Sequence, residues 1–399
     1  GETVVGHSGY LSCSVPDADA SIPEGRSAAS ATITYTSGET YLEYGDDLII
    51  KLFRKLEPGV NPDPELRRFL TDRTAFDQLA AAYGSLDYTA GDTVSFGVLQ
   101  EAVPESQSAW MVFHGLFQEW QQAASGPALQ DRSGGAFLWS NGGSAGSEGG
   151  ALEVAENRAR DLARMTAALH QALGSLSEDP DIQPEPFSQL YQQSLYQSLR
   201  ASVRQEVRAI RRLADRAGAL APQVKEAMAA EDAMLSWIDP IRRVDFDGVR
   251  IRVHGDYRLD EVYLVDDRFI VEDLSGDHNL PLDERRLRAS PLRDVAQMIR
   301  SFDYAALTVA LGGSDEDREA AERWAHHIAS EFMLAYLEAM DGSPLIPDVE
   351  AHIAALVDAY MTVRALRELR WDLAVRPDRA AVSLAAIRRR LGWSPSFIR

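Results

Sequence analysis

The stretch RVHGDYRLDEVYLVDDRFIVEDLSGD, residues 252–277, decides the fold of this chain. Two short apolar segments, EVYLV and RFIVE, flank an Asp-Asp pair, which is typical of a tight turn between antiparallel strands. Gly255 would allow a second tight turn, and that turn would place Asp256 in a cleft. The sequence therefore predicts a hairpin that returns Asp273 close to Asp256.

Carboxylates arranged in this way suit phosphoryl transfer. In that reaction one acid orients the attacking hydroxyl, while others hold Mg²⁺ against the phosphate oxygens. Asp256 would be the catalytic base, and Glu261 and Asp273 would be the metal ligands. The alternative is that the tripeptide HGD occurs by chance and that the acids cap strands on a solvated face. The second acid beyond the hairpin favours the kinase-like site.

Lys51 also supports the prediction of a kinase-like site. It stands inside the apolar segment LIIKLF, where an ammonium group is costly to bury without a partner. Glu65 lies at the start of the following helix and would supply that partner, with Lys51 also reaching nucleotide phosphates. The alternative is that Lys51 lies on the wet face of an edge strand.

The pattern along the chain changes near residue 105. Before it, short strand-like segments predominate: residues 31–45, with a Ser-Gly turn, then DDLIIKLF and VSFGVLQEAV. One helix, predicted over residues 62–84, interrupts them. After it, long amphipathic helices follow a Gly/Ser-rich segment, residues 133–150, which we predict to be a mobile loop. We predict an α+β fold with a small antiparallel-sheet N-lobe (1–104), a large mainly helical C-lobe (105–399), and a nucleotide in the cleft between them.

Composition narrows the possible partners. The 399 residues carry a formal charge of −21, which argues against binding to nucleic acid or to anionic lipid, because both need basic patches. Cys13 is the one cysteine, so no disulfide can form within the chain, and we expect a cytoplasmic protein. No segment approaches the roughly 18 apolar residues of a membrane helix. The first residues read like the middle of a protein, and we expect sequence upstream.

Five segments together resemble the maltokinases, which are aminoglycoside-phosphotransferase-like kinases often fused behind trehalose synthase. The resemblance runs from about Tyr35 to the C-terminus, and the segment SPLRD followed by SFDYAA is its most specific part. The five segments are LIIKLFRKLEPGVNPDPELRRFLT, PEPFSQLYQQSLYQSLR, HGDYRLDEV, PLDERRLRASPLRDVAQMIRSFDYAA and ALRELRWDLAVRPD.

The resemblance implies a bilobal eukaryotic-protein-kinase-like fold that uses ATP and Mg²⁺. It implies phosphorylation of the anomeric hydroxyl of maltose to maltose 1-phosphate, a precursor of α-glucans such as glycogen, with trehalose synthase as a possible partner. By position it implies these roles: Asp256 as base, Asp273 and Glu261 as metal ligands, Lys51 and Glu65 as the phosphate-contacting pair, Gln100, Ala102 and Val103 in an adenine-binding hinge, and Ser37 and Gly38 in a phosphate loop spanning residues 36–41.

Several positions depart from the family pattern. Glu261 replaces a neutral metal ligand, Leu274 and Ser275 replace a Phe and a Glu, and Glu39 adds a charge to the phosphate loop. Further departures in VRALREL and AVRPD lie where the sugar is expected. The identity of the acceptor therefore stays open between maltose and another sugar such as glucosamine. A non-catalytic pseudokinase module is a further alternative.

Other residues of the segment SPLRD and of the helix after it have expected supporting roles. Asp294 and Arg293 are predicted to brace the catalytic loop by hydrogen bonding and ion pairing. Asp303 is a candidate ligand for a hydroxyl of the acceptor.

Overall fold

The computed structural model of the chain describes most of the sequence and leaves a few segments undescribed. The predicted phosphate-loop residues Ser37 and Gly38 lie outside the described residues, and so does the Gly/Ser-rich segment apart from Gly150. The described ranges are 3–14, 32–35, 39–45, 48–103, 106–123, 150–244 and 246–392.

An antiparallel sheet forms the N-terminal part, as the strand-like pattern predicts. Its strand order is β1-β2-β6-β7-β5-β4-β3, so β5, which carries Lys51, lies inside the sheet between β7 and β4. The edge-strand alternative for Lys51 is therefore wrong. The seven strands are β1 (Thr3–Val5), β2 (Tyr10–Ser14), β3 (Thr32–Tyr35), β4 (Glu39–Tyr44), β5 (Leu48–Phe53), β6 (Ala82–Ala90) and β7 (Asp92–Glu101).

The helix predicted over residues 62–84 is shorter than expected. Helix α1 spans Pro62–Arg73, and its first turn is capped by the Asn61 side chain, which accepts a hydrogen bond from the Asp63 N–H. It ends at Thr74, whose backbone is extended. The rest of the predicted helix includes the start of β6, because pairing with β7 outweighs the helical propensity of its alanines.

Helices make up most of the chain after residue 108. Helix α9 is buried along most of its length at the centre of this part and packs against α2, α10 and α11. In the described ranges no helix is long and apolar enough to cross a membrane. The helices are α2 (Ala109–Gln122), α3 (Ala151–Leu173), α4 (Gln189–Leu213), α5 (Ala221–Ala229), α6 (Glu231–Ser236), α7 (Pro240–Arg243), α8 (Leu282–Arg285), α9 (Leu292–Val309), α10 (Asp315–Ala339), α11 (Glu350–Val375) and α12 (Ala380–Arg390).

The predicted hairpin is present. Two strands, Val262–Val265 and Arg268–Val271, pair antiparallel, with Val262 opposite Val271. The two residues of the turn, Asp266 and Asp267, have φ angles of 45° and 67°, and two left-handed residues are what a type I′ hairpin turn requires. This register brings the end of the catalytic loop beside the acidic residues that follow the second strand.

Candidate active site

The loop that carries Asp256, the predicted catalytic loop, is held by the N-terminal turn of α9. Gly255 has a φ of 86°, which favours glycine, and the chain turns there into Asp256. The buried Asp294 carboxylate accepts hydrogen bonds from the N–H groups of His254 (2.8 Å) and Gly255 (2.9 Å). Arg293 donates to the Gly255 carbonyl at 3.3 Å. The predicted bracing by Asp294 and Arg293 is thus confirmed by the hydrogen bonds that both residues make to the loop backbone.

The same face of α9 holds the rest of the loop. The Gln297 amide accepts from the Tyr257 N–H at 2.7 Å and donates to the Gly255 carbonyl at 2.9 Å. One helical step further, the Ser301 hydroxyl accepts from the Leu259 N–H at 3.1 Å. Sequence reasoning missed Gln297 and Ser301. Their helical spacing from Asp294 places all three on one face, and that spacing could have revealed them.

Two arginines surround Asp256. Arg258 Nε lies 3.2 Å and Arg364 Nη1 lies 2.7 Å from the same carboxylate oxygen, Oδ1. Burial alone would raise the pKa of Asp256, but these guanidinium groups outweigh it and hold the pKa well below its ordinary value. The Oδ2 atom has no hydrogen-bond partner among the described residues. Asp256 is therefore held as an ionised carboxylate, and a role for its Oδ2 atom toward a substrate hydroxyl stays a prediction.

Lys51 is fully buried and bridges two acids. Its Nζ atom lies 3.0 Å from Asp63 Oδ2 and also donates to Asp273 Oδ1. Burial alone would lower the pKa of Lys51, but Asp273 and Asp63 outweigh burial and raise the pKa well above its ordinary value. The structure thus brings Lys51 and Asp273 together across the two parts of the chain.

The expected pair between Lys51 and Glu65 is not formed. Glu65 binds two other cations instead: Arg252 at 2.8 Å and Arg286 at 2.5 Å. Asp63 takes the expected place because it lies two positions earlier on α1, where the helix faces β5, whereas Glu65 faces the C-terminal part. The prediction of an acidic partner on α1 was right, and the residue was wrong.

Arg67 links α1 to the segment that carries Asp273. Its guanidinium binds the Asp63 carboxylate through Nε (3.0 Å) and Nη2 (2.8 Å), and the same Nη2 donates to the Glu272 carbonyl at 2.6 Å. The side chain of Arg67 is fully buried. This buried chain of bonds positions the Asp273 backbone relative to Lys51.

The carboxylates expected to hold a metal ion lie in a crowded acidic region. Burial raises the pKa of Glu261 well above its ordinary value, and the neighbouring Asp273 and Asp256 add to that effect although Arg258 opposes it. Arg258 binds Glu261 at 2.7 Å. A divalent cation would relieve this repulsion, and carboxylate oxygens are the ligands that Mg²⁺ prefers. Asp273 and Glu261 would supply such oxygens, and their role as Mg²⁺ ligands stays a prediction.

A second group of possible ligands adjoins Asp273. One ligand atom each from Glu39, Asp273 and His278 lies within 4.8 Å of the others. His278 Nε2 lies 2.8 Å from the Glu39 carboxylate and 3.9 Å from Asp273. The charge that Glu39 adds to the phosphate loop is thus partly offset by His278, which sequence reasoning did not single out.

The predicted hinge joins the sheet to the helical part. Gln100 is buried in β7, and its side-chain amide donates to the Glu272 carboxylate at 3.2 Å. Ala102 and Val103 follow the end of β7, and the Val103 carbonyl accepts from the Ser106 hydroxyl at 2.9 Å. An adenine-binding role for the backbone of this segment stays a prediction.

A cavity of about 140 Å³ opens beside Asp256, between α2, α9 and α11. Trp110 and Tyr304 line it, with ring centroids 5.8 Å apart. Asp303, predicted as a ligand of the acceptor, does not line it. Its buried carboxylate is bound by Arg300 at 2.7 Å and by Arg389 at 2.6 Å, and its role toward the acceptor stays a prediction.

Comparison with known proteins agrees with this geometry at the level of the fold. No family model matches the chain. A solved glucosamine kinase in complex with glucosamine, ADP and inorganic phosphate superposes with a TM-score of 0.68, at 19% identity, over 91% of this chain and 82% of that chain. A second crystal form of glucosamine kinase gives 0.67 at 17% identity, over 96% and 80%. The chain has the fold of these kinases.

Sequence similarity is more limited than structural similarity. A curated glucosamine kinase from Streptacidiphilus jiangxiensis is 28% identical over 137 residues, which are 34% of this chain and 29% of that protein. The match thus spans less than a third of the relative's length. Neither this relative nor the two solved structures is described as a maltokinase, and that resemblance stays a prediction.

Proposed function

We propose that the chain is an ATP-dependent sugar phosphotransferase. The observation that carries the proposal is the buried triad in which Lys51 contacts both Asp63 and Asp273, beside an ionised Asp256 on a braced loop. The kinase fold of the chain and the sequence similarity to a glucosamine kinase support it. Among acceptors, the segments that resemble maltokinases favour maltose.

Each residue has a role in the proposed reaction. Asp256 would accept a hydrogen bond from the acceptor hydroxyl through Oδ2 and orient it toward the γ-phosphate of ATP. Its lowered pKa makes it a weak proton acceptor, which suits a late proton transfer from the attacking oxygen. Lys51 would exchange part of its contact with Asp273 for phosphate oxygens. Asp273 and Glu261 would hold Mg²⁺, which when bound neutralises phosphate charge.

Glucosamine is the second candidate acceptor, because the curated relative and both solved neighbours named above are glucosamine kinases. A non-catalytic binding module is the candidate from another class. The replaced residues Glu261 and Ser275 favour it, whereas the intact contacts between Lys51, Asp63 and Asp273 favour an enzyme.

The deciding experiment measures ADP release from ATP and Mg²⁺ with maltose, with glucosamine, with glucose and without sugar. Sugar-dependent ADP release supports the enzyme, and the preferred sugar identifies the acceptor. Absence of ADP release with every sugar, in a folded protein that binds ATP, would favour the binding module.

The variant Asp256→Asn tests whether Asp256 acts as the catalytic base. We expect it to lower kcat by roughly 100-fold or more, since a positioned base contributes about 10²–10⁴, while ATP affinity stays within about twofold. Asp232→Asn, at an exposed position on α6, removes the same charge away from the site and serves as control. Turnover by Asp256→Asn close to that of the control would exclude Asp256 as the base.

A further inference from the structure

We infer that Glu39, Asp273 and His278 form a binding site for a transition-metal dication such as Zn²⁺, distinct from the Mg²⁺ position proposed at Asp273 and Glu261. One ligand atom from each of the three side chains lies within 4.8 Å of the others. Binding of this ion does not depend on the proposed function. Its consequence, inhibition of the phosphotransferase, rests on that function.

The kinds of ligand atom favour zinc over magnesium. The imidazole nitrogen His278 Nε2 faces carboxylate oxygens of Glu39 and Asp273. Imidazole nitrogen suits zinc and neighbouring transition metals, whereas Mg²⁺ takes oxygen ligands in octahedral geometry. Three protein ligands that leave the fourth position to water are sufficient for a zinc site.

The distances between the ligand atoms suit tetrahedral coordination. Two atoms bound to one zinc ion at about 2.1 Å lie about 3.4 Å apart. His278 Nε2 lies 2.8 Å from Glu39 Oε1 and 3.9 Å from Asp273 Oδ2, so the two separations lie on either side of that value. Small rotations of the side chains would therefore complete the site without movement of the backbone.

The two oxygens of the Asp273 carboxylate face different partners. Oδ1 accepts hydrogen bonds from Lys51 Nζ and, at 3.1 Å, from the Ser275 N–H. Oδ2 accepts no hydrogen bond from the described residues and faces His278, although Asp273 is only 7% exposed. A buried carboxylate oxygen without a hydrogen bond is costly, and a metal ion would satisfy it. Lys51 also binds Asp63, which reduces its repulsion of a cation.

Glu39 is held in place by the sheet. It is the first residue of β4 and is only 5% exposed. Residues two apart on a strand share one face, and Tyr41 lies opposite Lys51 in the neighbouring strand β5. The Glu39 side chain therefore lies on the same face of the sheet as Lys51, which is the face that meets Asp273.

His278 is held in place by a tight turn. Gly276 has a φ of 72°, which favours glycine, and the chain turns there. The Asp277 carboxylate accepts hydrogen bonds from the N–H and the side-chain amide of Asn279, at 3.0 Å and 2.9 Å, and these bonds fix the backbone on both sides of His278. The His278 side chain is 31% exposed, so an ion can enter from solvent on this side.

Occupation of this site would oppose the binding of ATP. Asp273 is also a proposed ligand of Mg²⁺, so the two ions share one carboxylate. The transition-metal ion would in addition hold Glu39 against Asp273, where the phosphates of the nucleotide are expected. We therefore expect Zn²⁺ to inhibit the phosphotransferase in competition with ATP and Mg²⁺.

Titration with Co²⁺, which substitutes for Zn²⁺ and absorbs visible light, tests the site without nucleotide or sugar. The full chain is used without a polyhistidine tag in metal-free buffer. We expect one bound ion per chain, with the strong visible absorption that is typical of four-coordinate Co²⁺. Zn²⁺ should abolish this absorption, and Mg²⁺ in large excess should not. Absence of Co²⁺ binding would overturn the inference, and so would displacement of Co²⁺ by Mg²⁺ as readily as by Zn²⁺.

Variants assign the ion to these ligands. His278→Gln and Glu39→Gln are each expected to weaken Co²⁺ binding at least about tenfold, since loss of even an outer-shell partner of a metal ligand costs about 10- to 100-fold. His7→Gln removes an exposed imidazole between β1 and β2 and serves as control. Thermal unfolding verifies that each variant is folded. Co²⁺ affinity in folded His278→Gln equal to that of the control would contradict the inference.

Inhibition by Zn²⁺ tests the consequence separately. ADP release is measured against Zn²⁺ concentration at fixed ATP and Mg²⁺, in the original protein and in His278→Gln. ATP chelates Zn²⁺ equally in both assays, so a difference in the half-inhibiting concentration reports on the site. We expect this concentration to be at least about tenfold higher for the variant, and equal values would exclude the inhibitory role. Absence of ADP release with every sugar would mean that the proposed function fails, whereas the Co²⁺ titration requires no turnover.

Discussion

At the scale of single residues, buried charges define the site. Lys51 and Asp63 have no solvent exposure, and each gives up water for a small number of charged contacts. Such groups are tolerated because every member of the network has a partner, and removal of one member leaves a buried charge uncompensated. The residues that would contact phosphate are therefore coupled to the stability of the protein.

The first prediction concerns Asp63. Asp63→Asn removes the charge shared by Lys51 and Arg67, and we expect the free energy of unfolding to fall by about 3–5 kcal/mol, as for other buried pairs that lose one partner. Urea denaturation measures the change. Asp72→Asn, in the same helix, alters a largely exposed pair with Arg68 and is expected to change stability by less than about 1 kcal/mol. Similar values for the two variants would show that the Lys51 network is not energetically distinct.

The second prediction concerns His278 and pH. Burial alone would lower the pKa of His278, but the hydrogen bond to Glu39 and the nearby Asp273 outweigh burial and raise it above its ordinary value. A raised folded pKa stabilises the protein below the unfolded pKa of about 6.5, and this contribution is lost as pH rises through the folded value.

Comparison of His278→Gln with the original protein tests this dependence. We expect the variant to be less stable at about pH 5.5 and the difference to shrink at about pH 8.5, because protonation of the imidazole is lost as pH rises through its folded pKa. Thermal unfolding at the two pH values provides the measurement. A difference that grows with pH would mean that the imidazole is held neutral in the folded protein.

At the scale of elements, α9 supports the loop that carries Asp256. One face of this helix presents Asp294, Gln297 and Ser301, and their side chains satisfy backbone groups between His254 and Leu259. Loop backbone that is buried must find such partners. The rigid helix therefore fixes the position of Asp256 without contacting its carboxylate.

The third prediction follows from Gln297. Gln297→Ala leaves the Tyr257 N–H without its side-chain acceptor and leaves the Gly255 carbonyl with Arg293 alone as side-chain donor. We expect a loss of about 1–3 kcal/mol of stability for the buried unsatisfied group and a fall in kcat. Gln171→Ala is the control, because it removes an exposed hydrogen bond that the Gln171 side-chain amide on α3 donates to the Ala339 carbonyl. Denaturant unfolding and steady-state kinetics are measured on both. Full kcat in Gln297→Ala would show that the loop holds Asp256 without help from Gln297.

At the scale of the whole molecule, the sheet and the helical part meet at charged contacts around the proposed nucleotide site. Lys51 binds Asp273, Arg67 binds the Glu272 carbonyl, and Glu57 binds Arg285 at 2.8 Å. These contacts join residues far apart in the sequence. A nucleotide with its metal ion that binds between the two parts would therefore stabilise their association.

The fourth prediction is that ATP stabilises the protein in a metal-dependent manner. A ligand at 100 times its Kd adds about 2.7 kcal/mol to the free energy of unfolding, so a clear rise in Tm is expected with ATP and Mg²⁺. Chelation of Mg²⁺ with EDTA should remove most of the rise, and Asp273→Asn should make the shift with ATP independent of Mg²⁺. An equal shift with and without Mg²⁺ in the unaltered protein would argue against metal binding at Asp273.

The sequence by itself predicted the features that local chemistry decides. The hairpin followed from two apolar segments around a turn pair, because a two-residue turn and its register are encoded by neighbouring residues. The antiparallel sheet, the long helices, and an acidic partner for Lys51 on the following helix were also predicted. These features depend on short-range patterns, on the cost of a buried charge, and on the resemblance to a kinase family.

Only the tertiary structure decided the features that depend on how elements pack. It selected Asp63 instead of Glu65 as the partner of Lys51, because packing sets the rotation of α1 about its axis. It turned the end of a predicted helix into the start of β6, because pairing with β7 outweighed local propensity. It also gathered Arg258, Arg364 and Arg379 around one cavity. Sequence spacing could not show that convergence, since the charge of a cavity is a sum over residues that only the folded chain brings together.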